Sequence, residues 1–194
     1  MKTTISTDRQ TQRKGTFKVA YVANPERPLF GGSTTKVCAK QAIKQTLPGQ
    51  SLRVYPFLEQ ERRLKTELGA LVFGRALLDF VYKWMSKRIP KNKVTIPEFR
   101  FVKAGYGMEG EEVANRQAFL IEEWIDTSET AQGKFRKYVN NNSPRPIGDL
   151  DKEDSYRARF LCFTQHVQYV AFGKLAFVSD YQGRHYCRVT TLRS

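Results

Sequence analysis

The sequence predicts an α+β domain, because two strand-like segments come first, a long helical pattern follows, and strands then mix with a second helix. The chain has 194 residues, a length that suits one domain or two closely joined lobes. Its 40% hydrophobic and 12% aromatic residues are enough to build a core. Residues 1–14 show no periodicity and are expected to be a disordered lead-in to a domain over 15–194.

Charge and cysteine content indicate the partner and the compartment. The chain has 33 basic and 19 acidic residues, a net charge of +14, which favours anionic partners such as nucleotide phosphates. Residues 104–154 are net acidic, which argues against a uniform nucleic-acid-binding surface. Three cysteines and no apolar leader predict a cytoplasmic protein. No apolar run approaches the ~20 residues of a membrane-spanning helix.

The first half of the chain predicts a hairpin and a long helix. Thr16–Ala23 alternates apolar and polar residues, and Thr34–Ile43 is rich in β-branched and small residues, so two strands are expected around a glycine-containing loop. Leu58–Lys87 repeats leucines at helical spacing, and Pro90 ends the pattern.

The second half predicts short strands around one helix. Strands are expected at Glu98–Lys103, Gln117–Ile125 and Leu175–Ser179, where apolar and aromatic residues concentrate. Asn140–Pro146 is predicted to be a loop, and Lys152–Tyr169 a helix.

Charged residues lie inside two of the apolar strand patterns. Lys40 follows the glycine-containing loop, so its ammonium group either faces nucleotide phosphates or lies in water on an edge strand. Glu122 and Glu123 alternate in an apolar segment, so one of them points inward unless the strand is an edge. An inward carboxylate needs a partner such as Lys40.

Two later segments carry phosphate- or metal-binding residue types. Lys137 precedes a run of three asparagines that includes Asn141, a pattern that suits phosphate contacts but also occurs in ordinary turns. Asp180 and Gln182 follow a short strand and place two oxygens on one side, which suits Mg²⁺, although a simple D-x-x-G turn explains them as well.

The order of these segments resembles the alpha-kinase family, the atypical Ser/Thr protein kinases that include myosin heavy chain kinases and channel-kinases; the likeness is to a fungal-like member. The matching segments are G-T-F-K-V-A-Y at 15–21, V-C-A-K at 37–40, F-L-I-E-E-W-I at 119–125, K-F-R-K-Y-V-N-N-N at 134–142, R-F-L-C-F-T at 159–164 and D-Y-Q-G at 180–183.

The resemblance implies a two-lobed kinase fold that transfers the γ-phosphate of ATP to Ser or Thr of an unidentified protein substrate. It implies that Lys40 holds the α/β phosphates, that Asp180 is a catalytic acid and that Gln182 ligates Mg²⁺. The other implied nucleotide contacts are Glu122 and Glu123 at the adenine end, Lys18 and Lys137 near the phosphates, and Asn141 beside them.

The sequence also departs from the family pattern. After Gly183 the family continues into a leucine-threonine-aspartate-proline segment, whereas this chain reads R-H-Y-C-R-V-T-T-L-R-S, so the C-terminal part of the domain is expected to be missing and transfer to be weak. Cys162 stands in place of the first histidine of the family's zinc site, and His185 and Cys187 offer only a loose ligand spacing. The alternatives are a nucleotide-binding pseudokinase and a basic module that binds nucleic acid or protein.

Overall fold

The computed structural model describes residues 4–31, 35–44, 51, 53–90, 94–110, 112, 115–125, 135–183 and 192–193. The chain divides into two compact units. Unit 1 comprises Met1–Gly69 and Lys103–Trp124, and unit 2 comprises Ala70–Val102 and Ile125–Ser194. The described strands and helices form an α+β fold, as the sequence predicts.

Unit 1 is built on an antiparallel sheet. Its strands are β1 (Ile5–Lys14), β2 (Lys18–Pro25), β3 (Val37–Lys44), β4 (Arg53–Val54), β5 (Ala104–Glu109) and β6 (Gln117–Glu123). The order across the sheet is β1-β2-β3-β6-β5, and β4 pairs with the end of β3. The predicted hairpin is therefore confirmed as β2 and β3, and β3 lies between β2 and β6.

The two faces of this sheet differ in chemistry because successive side chains of a strand point to opposite sides. One face forms the apolar core of unit 1, with the following buried members: Val19, Tyr21, Ala23, Val37, Ala39, Ile43, Phe119 and Ile121. Lys40 and Cys38 alternate with these core residues on β3 and so belong to the opposite face.

The loop between β2 and β3 packs against the core face of the sheet in unit 1. Leu29 and Phe30 pack against the apolar cluster of unit 1. Phe30 has a positive φ of 63°, and its carbonyl accepts a hydrogen bond of 2.5 Å from Lys103 Nζ. A β-carbon on Gly105 would lie 3.7 Å from the Phe30 ring, an ordinary van der Waals distance, so the ring lies against the backbone of β5. This part of the loop therefore covers the side of the sheet away from Lys40.

Helix α1 (Phe57–Ser86) runs unbroken through the predicted range, and the boundary between the units falls within it. Its second half contributes Val81 and Met85 to the core of unit 2. Helix α2 (Lys152–Ala171) contributes Val167 to the same core. The described helices include none long and apolar enough to cross a membrane.

Unit 2 also contains two short strand pairs. The strands are β7 (Arg136–Lys137), β8 (Phe177–Val178), β9 (Gln182–Gly183) and β10 (Leu192–Arg193). The pairs are β7 with β9 and β8 with β10. Helix α2 begins after Asp151, whose side chain accepts a 2.8 Å hydrogen bond from the Asp154 N–H as an N-cap.

Two sequence expectations are wrong. Ile5–Lys14 is not a disordered lead-in but an edge strand that pairs with β2. Glu98–Lys103 is not a strand: the Phe99 N–H donates to the Tyr82 hydroxyl at 2.6 Å instead of to a neighbouring strand. That hydroxyl in turn donates to the carbonyl of Pro97 at 2.8 Å.

Candidate functional site

The predicted site residues fall into two groups, one in each unit. In unit 1, Lys40 lies in the middle of β3 and Glu122 lies on the neighbouring strand β6. Lys40 Nζ and Glu122 Oε2 are 2.6 Å apart and form an ion pair. The Glu122 side chain is only 5% exposed, and that of Lys40 is 22% exposed. Neither residue is on an edge strand, so the alternative of two solvated edge charges does not apply.

The electrostatics of this pair depend on both burial and charge. Burial by itself lowers the pKa of Lys40, but the Glu122 carboxylate beside it outweighs burial and leaves that pKa above its ordinary value. The ammonium group is therefore charged throughout the neutral range. Glu122 Oε1, the oxygen not engaged by Lys40, is buried and has no hydrogen-bond partner among the described residues. A buried acceptor of this kind is costly unless a donor reaches it.

Two further residues lie near this pair. Cys38 is directly opposite Glu122 in the strand register. Burial raises the pKa of the Cys38 thiol, although the charge of Lys40 acts in the opposite direction. Lys18, predicted to lie near phosphates, is at the start of β2 and forms an ion pair with Glu67 of α1.

Glu123 does not join Glu122, because adjacent residues of a strand point to opposite faces. Its Oε2 accepts a hydrogen bond of 3.2 Å from the Lys103 N–H, and its own N–H donates to the Lys103 carbonyl at 2.9 Å. The side chain of Glu123 therefore helps to fasten β6 to the start of β5, while Glu122 faces Lys40.

In unit 2, Lys137, Asp180 and Gln182 lie together. Lys137 is opposite Gln182 in the register of β7 and β9. Lys137 Nζ is 2.6 Å from Asp180 Oδ1. Asp180 and Gln182 flank Tyr181, whose side chain is fully buried. Asn141 lies exposed in the turn that follows Val139. An ammonium group, a carboxylate and an amide oxygen are thus arranged around one short strand pair.

Asp180 has an unusual backbone conformation. Its φ is +57°, in the left-handed region that few residues other than glycine adopt, although Asp and Asn tolerate it. Its neighbour Tyr181 is held from two sides. The Tyr181 carbonyl accepts from the Tyr138 N–H at 2.8 Å, and its hydroxyl is 3.0 Å from Thr164 Oγ1. Burial raises the pKa of Tyr181, so the phenol stays neutral.

The sequence reasoning missed a buried charge cluster beside β7. The buried Asp154 carboxylate forms ion pairs with Arg136 Nε, at 2.8 Å, and with Arg157 Nη1, at 3.0 Å. The Tyr138 hydroxyl is 3.3 Å from the same carboxylate. Arg136 thereby ties β7 to the first turn of α2, and its neighbour Lys137 is directed to Asp180. Acidic residues are common in the first turn of a helix, so Asp154 did not stand out in the sequence.

The donor set in unit 2 fits Mg²⁺ bound together with phosphates. Mg²⁺ prefers hard oxygens, keeps several waters and is commonly held by one or two carboxylates plus substrate phosphates. Asp180 and Gln182 carry such oxygens, and both residues lie beside Lys137: Asp180 pairs with its ammonium group, and Gln182 is opposite it in the strand register. Within the described residues, no group of three or more His, Cys, Asp or Glu side chains converges. His185 and Cys187 lie outside the described residues.

Comparison with known proteins shows which solved structures share this fold. No family model matches the sequence, and no curated protein matches it. Among solved structures, a mutant catalytic domain of myosin heavy chain kinase A has a TM-score of 0.55 at 16% identity, over 95% of this chain and 72% of that one.

Two further structures agree with that match. The alpha-kinase domain of myosin-II heavy chain kinase A in complex with AMP-PNP has a TM-score of 0.55 at 15% identity, over 96% of this chain and 72% of that one. The same domain in complex with AMP has a TM-score of 0.55 at 15% identity, over 96% of this chain and 74% of that one. The chain therefore has the fold of an alpha-kinase catalytic domain, as its motifs predict.

Proposed function

We propose that this chain is an ATP-binding protein serine/threonine kinase domain of the alpha-kinase type. The observation that carries the proposal is the ion pair between Lys40 and Glu122 in the interior of the sheet. Buried charge pairs contribute little net stability, so their presence on a sheet of an enzyme fold favours a functional role. Nucleotides are bound by structures of the same fold.

The residues of unit 1 suit a nucleotide. The Lys40 ammonium group stays charged at neutral pH and is suited to hold the α/β phosphates. Glu122 Oε1 is a buried acceptor with no described donor, and the amino group of adenine is a donor that would satisfy it. Lys18, on the same sheet, would be a further phosphate contact if it left Glu67.

The residues of unit 2 suit phosphoryl transfer. Asp180 and Gln182 would hold Mg²⁺, which when bound neutralises charge on the phosphate oxygens. The Lys137 ammonium group would hold the transferring phosphate, and Asn141 in the nearby turn would add a polar contact. Asp180 would act as the catalytic acidic group, which needs a fixed position more than covalent reactivity.

A transfer assay with two matched variants tests this proposal. The purified chain is incubated with Mg²⁺, γ-labelled ATP and a basic protein substrate, and label on serine and threonine is counted. Asp180→Asn keeps the left-handed backbone but removes the charge, so transfer should fall by about 100-fold or more. Asp149→Asn is the control, because Asp149 has nearly the same φ, 59°, and lies exposed.

The outcomes separate clearly. Transfer that is lost with Asp180→Asn and kept with Asp149→Asn supports the kinase. Equal transfer by the two variants contradicts the catalytic role of Asp180. Label on residues other than serine and threonine contradicts the proposed specificity.

A second candidate is a domain that binds nucleotide without transferring phosphate. The contact that favours it is the 2.6 Å ion pair of Lys137 with Asp180, since a metal ion would have to compete with the ammonium group for that carboxylate. This candidate predicts ATP binding by the wild type that is independent of Mg²⁺, together with no measurable transfer.

A further inference from the structure

We propose that Gln165 and Gln168 of α2 are positioning residues that hold Asp180 in its left-handed backbone conformation. The inference rests on the proposed function, because it concerns the acid that would act in phosphoryl transfer. Both glutamines are buried, with 5% and 0% of their surface exposed. Neither belongs to the sequence segments that predicted the site.

The two glutamines bond to the backbone C=O and N–H groups of Val178 in β8. Gln165 Nε2 donates to the Val178 carbonyl at 2.7 Å. The Val178 N–H donates to Gln168 Oε1 at 2.8 Å. Val178 itself is fully buried. The glutamine side chains thus satisfy both backbone groups of Val178, which also lies opposite Leu192 of β10 in the strand register.

Asp180 lies between two residues that α2 fixes. Val178 precedes it by two positions and is held by the glutamines. Tyr181 follows it directly, and its hydroxyl is 3.0 Å from Thr164 Oγ1. Residues other than glycine populate positive φ sparsely, so contacts that fix the backbone on both sides stabilise that conformation. The contacts of α2 provide this constraint, and they direct the carboxylate toward Lys137.

The spacing on the helix supports a shared role. Thr164, Gln165 and Gln168 follow Leu161 at three, four and seven residues, so all four lie on one face of α2. Each of the three polar members contacts the segment from Val178 to Tyr181. This polar stripe on an otherwise apolar face is explained by its contacts to the segment that carries the acid.

The test compares Gln168→Met with two other variants. Methionine fills a similar volume but accepts no strong hydrogen bond, so it leaves the Val178 N–H buried and unpaired. Gln168→Glu keeps an oxygen at the same position, and burial favours its neutral form. Gln60→Met is the matched control in unit 1, because Gln60 is also buried and its Oε1 accepts from a backbone N–H, that of Ala118, at 3.3 Å.

The first readout is hydrogen exchange, which needs no activity. Gln168→Met should speed the exchange of the backbone amides from Val178 to Tyr181 by about 10- to 100-fold. Gln168→Glu should restore wild-type exchange, and Gln60→Met should leave this segment unchanged. If Gln168→Met does not fold, Gln165→Met replaces it, since it removes only the bond to the Val178 carbonyl.

The second readout separates positioning from stability. In folded Gln168→Met, kcat for phosphate transfer should fall by about 10- to 100-fold while the dissociation constant for ATP stays that of the wild type. Unchanged exchange, unchanged kcat or no recovery in Gln168→Glu would overturn the proposal. If the wild type neither binds ATP nor transfers phosphate, the proposed function is refuted. In that case the hydrogen-exchange data alone decide whether the glutamines fix the segment around Asp180.

Discussion

Lys40 Nζ and Glu122 Oε2 lie 2.6 Å apart on two paired inner strands of the sheet in unit 1. Charged residues at such positions lose water that only a close partner replaces. The other carboxylate oxygen, Glu122 Oε1, is buried and has no hydrogen-bond partner among the described residues. Lys40 and Glu122 are the central residues of the proposed nucleotide site.

The first prediction concerns the stability of this pair. Glu122→Gln removes the charge that offsets the buried ammonium group of Lys40, so the free energy of unfolding should fall by about 1–3 kcal/mol. Glu123→Gln is the control on the adjacent residue, which lies on the other face and accepts a backbone hydrogen bond at 3.2 Å that the amide oxygen can keep. Urea unfolding of both variants measures the difference, and equal losses would contradict the structural account.

The second prediction is a pH dependence at Cys38. The thiolate is the reactive form, and burial holds the pKa of Cys38 above its ordinary value of 9.0. At pH 8 a smaller fraction of Cys38 than of a free cysteine is ionised, so alkylation should be slow and should rise with a midpoint above pH 9.0. The rate is measured by mass spectrometry on a protein that carries Cys162→Ala and Cys187→Ala.

The same labelling experiment reports on the nucleotide. Because Cys38 is directly opposite Glu122, bound ATP should slow its alkylation further. The control is Cys162 in a protein with Cys38→Ala and Cys187→Ala; its pKa is also raised by burial, but it lies on α2 in unit 2. If Cys38 is labelled faster than a free cysteine at pH 8, the result contradicts the prediction that burial raises the pKa of its thiol.

The third prediction concerns the turn that joins β5 and β6. Gly110 has a φ of +92°, and a β-carbon there would lie 2.8 Å from the Asn115 carbonyl oxygen. Gly110→Ala should therefore destabilise the protein by about 1–3 kcal/mol or more. Gly148→Ala has nothing within 4 Å of the new carbon and should change stability by less than about 0.5 kcal/mol. Thermal unfolding distinguishes the two, and a tolerated Gly110→Ala would contradict the turn geometry.

The elements that the sequence predicts are those with a periodic apolar pattern. β2, β3, β6 and both helices bury one face, so their residues repeat at the spacing of their structure. β1 was missed because it is an edge strand made of polar residues, and most of its described side chains are exposed. An edge strand of this composition carries no alternation, and its charges protect it from pairing with other chains.

The candidate site is predictable only in part, for a related reason. Alternation along β6 indicated that one glutamate faces inward, and the structure shows that it is Glu122 and that Lys40 is its partner. No local pattern could indicate that Asp180 adopts a positive φ, since that depends on contacts to a distant helix. Gln165 and Gln168 did carry a signal, the i, i+4 and i+7 spacing from Leu161, but polar residues at such positions are usually exposed.

The central claim is that Lys40 and Glu122 form part of a nucleotide site, and calorimetry with ATP and Mg²⁺ tests it most directly. Lys40→Ala removes a charged contact to phosphate and should weaken ATP binding by about 10- to 100-fold. Lys44→Ala is the matched control, because Lys44 lies on the same strand and is exposed, and its Nζ lies 5.9 Å from the centre of the Tyr55 ring. We expect Lys44→Ala to bind ATP as the wild type does. Equal dissociation constants for Lys40→Ala and the wild type would contradict the claim.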